Sequence, residues 1–275
     1  MTDPSLLVVG AHPDDCAIKA GGIAATYVEA GRDVTFLSVT DGSAGHHEDD
    51  RDTVAARRKR ETEAVADTLG VDYEVFDIPD GELEPALEHR HRLTRFVREV
   101  DPDLVLGPRP NDYHPDHRYT AELLRDTAYM LIVPNVCPDT PPMDDNPVFG
   151  YVADGFGTPA PFEPDVVLDV SDVTDRKLDA LDCHESQMYE WLPYTFGVLD
   201  EVPADEGARR EWLAEAGLDH FATNTKVNVA DRFRAELLAR YGPDRGDRVE
   251  HAEAVEISEY GAPLTDELRD ELFFF

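Results

Sequence analysis

The stretch Leu6-Leu7-Val8-Val9-Gly10-Ala11-His12-Pro13-Asp14-Asp15-Cys16 decides how the chain is read. Residues 6–9 form an apolar run without polar alternation, the pattern of a parallel strand covered on both faces. Pro13 cannot extend a strand inside a sheet, so the backbone turns there. His12, Asp14 and Asp15 then crowd beyond the strand's carboxyl end, where ligands collect in open α/β sheets. An imidazole beside two carboxylates is a nitrogen and oxygen donor set suited to a divalent cation such as zinc.

Working outward, residues 18–30 carry apolar side chains at helical spacing and end at Gly31. A strand is expected at 34–39, a helix at 48–70, a strand at 73–78, a helix at 85–100 and a strand at 103–108. This alternation predicts βαβ units, and so an α/β, Rossmann-like, doubly wound and mostly parallel sheet. Gly21-Gly22 inside the first helix costs stability unless another part of the chain packs close. From 134 to 164 repeated Pro, Asp and Gly break the pattern, which predicts an active-site loop or an excursion that covers one. A fifth strand is expected at 166–170, a helix at 174–188, further helices near 209–216 and 230–241, and a last strand through 254–257. The expected organisation is a catalytic domain over 1–190, with 191–275 a C-terminal extension packed on the same domain.

Acidic residues number 59 against 25 basic ones, a formal net charge of −34. They are spread along the chain between apolar runs, and 41% of residues are hydrophobic, so disorder is not expected. Such a charge repels itself at low ionic strength and is screened by concentrated salt, which predicts a halophilic protein. Unaided nucleic-acid or anionic-membrane binding is not expected, because both need basic patches. Cys16, Cys137 and Cys183 are too few and too widely spaced for a disulfide framework or a zinc ribbon. No run approaches the length of a membrane span, and Met1-Thr2-Asp3-Pro4 carries no basic leader segment, so a cytoplasmic location is expected. A homo-oligomer is compatible with this composition.

A second constellation, Pro110-Asn111-Asp112-Tyr113-His114-Pro115-Asp116-His117-Arg118, follows the fourth strand. In the doubly wound order the first and fourth strands are neighbours, which sets His12, Asp14 and Asp15 opposite His114, Asp116 and His117. Two histidines and a carboxylate with an open position suit a catalytic zinc site. A remaining carboxylate can take a proton from water, and a remaining imidazole can stabilise an oxyanion. Spacing alone does not say which of Asp14 and Asp15 faces a metal, or how His114 and His117 divide the work.

Ala11-His-Pro-Asp-Asp15, Gly21-Gly22, Arg58-x-x-Glu61 before Leu69-Gly70, and His114-Pro-Asp-His117 together resemble the PIG-L/LmbE-like de-N-acetylases. The likeness covers about the first 130 residues, and His184-x-Ser186-Gln187 and the stretch 254–261 also match. The family deacetylates N-acetylglucosamine units in phosphatidylinositol, thiol-precursor and chitooligosaccharide substrates. The resemblance implies His12, Asp15 and His117 as ligands of Zn2+ or another divalent metal, and Asp14 as the general base. It implies His114 as the imidazole that stabilises the oxyanion and helps the amine leave, with Asp116 orienting it. It implies Arg58 and Asp80 as contacts to the hydroxyls of a small-molecule amino-sugar substrate.

For Arg58 the plain alternative is a solvated helix face paired with Glu61 and Glu63, and for Asp80 a turn residue before Gly81. The family's first motif commonly continues with Glu, where this chain has Cys16. A small buried thiol is the expected reading, with zinc coordination the alternative. His46-His47 reads as a solvated loop pair rather than as ligands. His184 reads as a packing or capping residue at least as readily as a substrate contact. Trp191 and Tyr194 read as core or interface aromatics, with sugar stacking the alternative. The expected function is a zinc-dependent N-deacetylase of an N-acetylglucosamine-type sugar or glycoconjugate. The alternatives are a metal-dependent amidase cleaving a larger amide and a non-catalytic sugar- or nucleotide-binding module. No Gly-x-Gly-x-x-Gly follows the first strand, which counts against a dinucleotide.

Overall fold

A computed structural model of the chain describes residues 3–216 and 228–275; Met1 and Thr2 of the segment read for a leader lie outside them. Seven strands form one sheet in the order β3-β2-β1-β4-β5-β7-β6. They are β1 (Leu6–Gly10), β2 (Val34–Ser38), β3 (Asp72–Val75), β4 (Leu104–Gly107), β5 (Val148–Val152), β6 (Val166–Asp169) and β7 (Ala252–Gly261). The first five are mutually parallel, and β7 runs antiparallel between β5 and β6. β1 lies between β2 and β4 with Val8 level with Phe36 and Leu106, and every residue of β1 is buried. That double coverage is why its sequence lacks alternation.

Helices α1 (Asp15–Glu29), α2 (Arg51–Leu69) and α5 (Thr174–Asp182) cover one face, and α3 (Leu87–Val100) and α4 (Pro115–Met130) the other. Gly70 closes α2 at φ 77°, a left-handed position that favours glycine. Gly22 is required by close approach, since a Cβ there would stand 2.7 Å from Cβ of Val170. Just before it, α1 leaves helical geometry at Ala20 (φ −139°, ψ 18°). The freed amides of Gly22 and Ile23 donate to the two carboxylate oxygens of Glu253, at 2.9 and 2.8 Å, and Lys177 Nζ lies 2.7 Å from the same group. The C-terminal strand thus clamps the helix that carries Asp15.

Three elements differ from expectation. The segment 134–164, read as irregular, contains β5, whose place is set by pairing with β4 and β7 rather than by local pattern. Gly150 interrupts its apolar run because a Cβ there would meet Val255 Cγ1 at 2.5 Å. The helix expected over 174–188 ends at Asp182, and Ser186–Trp191 forms a separate π-helical turn followed by a short helix, Leu192–Phe196. The last strand is longer than 254–257 and lies inside the sheet. Among the described residues no helix is long and apolar enough to cross a membrane.

Candidate metal and active site

The turn after β1 is built on one carboxylate. Asp15 Oδ2 accepts the amides of Ala11 and His12, both at 2.9 Å, which curls the backbone over the first residue of α1. The same oxygen lies 3.6 Å from His12 Nδ1 and 3.4 Å from His117 Nε2, and these two nitrogens are 3.1 Å apart. Ligands about 2.0–2.1 Å from a tetrahedral zinc stand roughly 3.3–3.4 Å from each other. The separations within the triangle of His12, Asp15 and His117 would therefore suit three ligands of such an ion.

Both imidazoles are held from behind. His117 Nδ1 lies 3.1 Å from Asp112 Oδ2, which assigns the ring proton to Nδ1 and leaves the Nε2 lone pair on the triangle. His12 Nε2 lies 3.2 Å from Asp80 Oδ1 and 3.4 Å from Asp116 Oδ2, with no well-directed hydrogen bond among the described residues. Four carboxylates, those of Asp15, Asp80, Asp112 and Asp116, converge on two rings, an excess of negative charge that a divalent cation neutralises. With no cation in place, the same surplus of negative charge draws protons onto the rings instead. Burial lowers the affinity of His117 for protons, but Asp15 and Asp112 outweigh it and hold the ring at about 9. Burial likewise opposes ionisation of Asp80 and Asp15, yet the facing imidazoles keep both carboxyls below their ordinary range.

Asp14 and Asp15 separate cleanly. Asp15 faces the triangle, whereas Asp14 Oδ1 pairs with Arg58 Nη2 and lines the adjoining cleft. Arg58 is only 2% exposed and its Nη1 donates to Gly42 O at 3.3 Å, so it is not the solvated helix-face residue of the plain reading. Asp80 is more than a turn residue, because Oδ1 meets His12 and Oδ2 accepts the amide of Ala44 at 3.1 Å.

His114 caps α4, and its Nδ1 accepts the amide of Asp116 at 3.2 Å. A neutral ring so fixed carries its proton on Nε2 and offers it as a donor. Burial, then the neighbouring rings of His12 and His117, holds its pKa below the ordinary value. Asp116 orients His114 through its backbone only. Its carboxylate, expected on His114, accepts instead from the Gly81 amide at 2.7 Å and faces His12.

Cys16 is buried with Sγ 3.4 Å from Val8 O and 3.5 Å from Leu37 O, and burial first, then Asp15, pushes its thiol up. It packs beneath the site and is no ligand. His46 accepts two backbone amides and meets Glu190 at 2.8 Å, away from the triangle. His184 is fully buried with neither ring nitrogen partnered among the described residues, and burial lowers its pKa to about 3.

Sequence reasoning gave no role to Asp112, although its place two residues before the helix cap His114, whose amide it accepts at 2.9 Å, is a recognisable turn signal. It also left the Arg58-x-x-Glu61 and His184-x-Ser186-Gln187 elements unconnected. Glu61 accepts both the amide and the hydroxyl of Ser186, at 2.8 and 2.7 Å, and Gln187 Nε2 donates to Gly45 O at 3.0 Å. These bonds fix the far wall of a cleft of about 560 Å3 that opens over Asp14, Asp15, His114 and His117.

A family model described as PIG-L, GlcNAc-PI de-N-acetylase, matches residues 7–128. Diacetylchitobiose deacetylase of Thermococcus kodakarensis is 32% identical over 200 residues, 69% of this chain and 74% of the relative. The chain belongs to the PIG-L family. As a PIG-L protein it is a hydrolytic N-deacetylase by its homologues. The chain is also similar to 4-oxalmesaconate hydratase of Pseudomonas putida, 28% identical over 199 residues, 70% of this chain and 77% of that protein. The PIG-L fold is shared with the solved N,N'-diacetylchitobiose deacetylase of Pyrococcus horikoshii (TM-score 0.66, 24% identity, 94% of this chain and 84% of that one).

Proposed function

We propose that this PIG-L protein is a zinc-dependent hydrolase that removes the N-acetyl group from an N-acetylglucosamine-type sugar or glycoconjugate. The observation that carries the reading is the triangle of His12 Nδ1, Asp15 Oδ2 and His117 Nε2, with each ring's far nitrogen set against a carboxylate. His12, Asp15 and His117 would hold a zinc ion there, which would supply Lewis-acid polarisation of the amide carbonyl and a water of lowered pKa. Asp14, whose Oδ1 is held by Arg58 and which lines the cleft beside Asp15, would receive the proton of the attacking water at Oδ2. His114 presents Nε2–H to the oxygen of the tetrahedral intermediate, and the proton taken up by Asp14 then passes to the nitrogen, which releases the free amine and acetate. Arg58 and Asp80 line the same cleft, and we assign them to the sugar hydroxyls. The named substrate of the Thermococcus kodakarensis relative supports the amino-sugar class.

The test is amine release from N-acetylglucosamine and its short β-linked oligomers by metal-reconstituted protein in high salt, with metal stoichiometry measured in parallel. One bound zinc per chain is expected. Asp14→Asn is expected to lower kcat by about 10²–10⁴, the contribution of a positioned general base. Tight metal binding with no amine released from any of these would discard the sugar amide, and hydration of an unsaturated acid would then be the assay to run. A chain that binds no divalent metal would sink the reading altogether.

A further inference from the structure

His46 and His47 begin a column of stacked rings that ends at the cleft. His46 and His47 have centroids 4.9 Å apart with planes at 28°, His47 and Tyr194 are 4.2 Å apart at 9°, and Tyr194 and Trp191 are 5.8 Å apart at 22°. Trp191, the last ring, lines the cleft together with Leu192 and Phe196. The base of the column is anchored. His46 Nδ1 accepts the amides of Glu48 and Asp49 at 3.2 and 2.9 Å, and its Nε2 meets Glu190 at 2.8 Å. Glu190 is gripped in turn by both terminal nitrogens of Arg57, at 2.7 and 2.6 Å.

The backbone is set as firmly. Trp191 closes the six-residue π-helical turn that starts at Ser186, and such turns re-aim side chains, frequently at functional sites. Glu61 clamps the start of that turn. A ring so held loses little freedom when a ligand lands on it, which is the condition for a stacking surface. The rim is also apolar beyond what the fold needs. Tyr194 and Phe196 are 50% and 41% exposed in a chain of net charge −34. The cleft floor, by contrast, is polar, lined by Asp14, Asp15, Asp80 and Asp112 together with Lys19 and Arg58. A planar apolar surface above a polar floor suits a ring with an apolar face and hydroxyl edges, which describes a pyranose.

We infer that Trp191, positioned by Tyr194, His47 and His46, is the platform on which the sugar ring next to the N-acetylated unit stacks. The platform selects a glycan of two or more units over the free monosaccharide. This rests on the N-deacetylase reading for the first unit. Trp191 touches the substrate; Tyr194, His47 and His46 act through it.

The test separates the platform from the chemistry. Trp212→Phe leaves Trp191 as the sole tryptophan of the two in the chain. Metal-loaded Asp14→Asn/Trp212→Phe protein is titrated with N-acetylglucosamine and with its β-linked dimer while tryptophan emission is followed. Amine release from both sugars is measured on chains that keep Asp14. The dimer is expected to shift the emission and to bind at least tenfold more tightly than the monosaccharide. Trp191→Ala is expected to raise KM for the dimer about tenfold and so to narrow the KM gap between the dimer and the monosaccharide. His47→Ala should reproduce part of that KM change, and His47→Phe, which keeps a ring in the column, should restore it. Amine release from both sugars with no effect of Trp191→Ala on dimer KM overturns the platform and leaves the deacetylase reading standing. An emission shift with the dimer but no amine release keeps the platform and sinks the deacetylase reading. Neither signal overturns the platform as well.

Discussion

Asp112→Asn is the substitution whose consequence follows most directly from the geometry. In the native site Asp112 Oδ1 accepts the His114 amide at 2.9 Å and Oδ2 faces His117 Nδ1 at 3.1 Å, so one carboxylate accepts from two N–H groups at once. An asparagine has one acceptor and one donor there. If its oxygen stays on the His114 amide, its NH2 faces His117 Nδ1 and forces the ring proton onto Nε2, the atom needed on the metal triangle. If the amide flips, its NH2 confronts the His114 N–H and leaves buried donors unpaired, at about 1–3 kcal/mol. Either course weakens the metal site, and loss of such a supporting partner typically costs about 10–100-fold in metal affinity. That range corresponds to about 1.4–2.7 kcal/mol, consistent with the flip cost. The assay is zinc competition against a chromophoric chelator at fixed pH and salt, with turnover measured at saturating zinc. Asp112→Asn should bind zinc 10–100-fold more weakly and recover most of its turnover once saturated. Zinc affinity within twofold of the native protein would refute the assignment of the His117 tautomer, and with it the ligand triangle.

Two further outcomes follow. His184 is neutral in the fold with a pKa of about 3 against 6.5 when free, so the unfolded chain binds the extra proton first and stability falls as pH drops from 6.5 toward 3. At pH 5 this single group removes about 2 kcal/mol, so urea melts of His184→Leu should lose about that much less between pH 7 and pH 5 than the native chain; equal losses would contradict the buried, unpartnered ring. Raising salt from about 0.1 M to 1 M shortens the screening length from about 10 to 3 Å and should relieve the repulsion of a −34 chain. The melting temperature of the metal-loaded protein should rise by several degrees, and no rise would refute a charge-limited stability.

The parallel sheet was legible because buried strands announce themselves locally: Leu6 to Val9 has no polar residue to place in water, and the helices after it carry their own spacing and glycine stops. The neighbouring of β1 and β4 was legible too, from the common doubly wound strand order, and it brought His12 and His117 together at the strand ends. β5 was not legible, since Val148–Val152 is defined by its partners on either side and not by its own alternation. The end of α5 at Asp182 was missed for a similar reason, because Glu61, far along the chain, captures Ser186 and reshapes the next turn.

The sequence by itself determined the α/β class, the two motifs at strand ends, and the donor types that point to a metal and an N-deacetylase family, because residue type and short-range spacing carry that information. Only the tertiary structure decided that Asp15 rather than Asp14 joins the triangle, that Arg58 pairs with Asp14, that the Asp116 carboxylate supports His12 rather than His114, and that Asp112 stands behind His117. These are differences of side-chain direction between adjacent or nearby residues. Direction is set by hydrogen bonds and packing from distant segments, and no spacing along the chain records it.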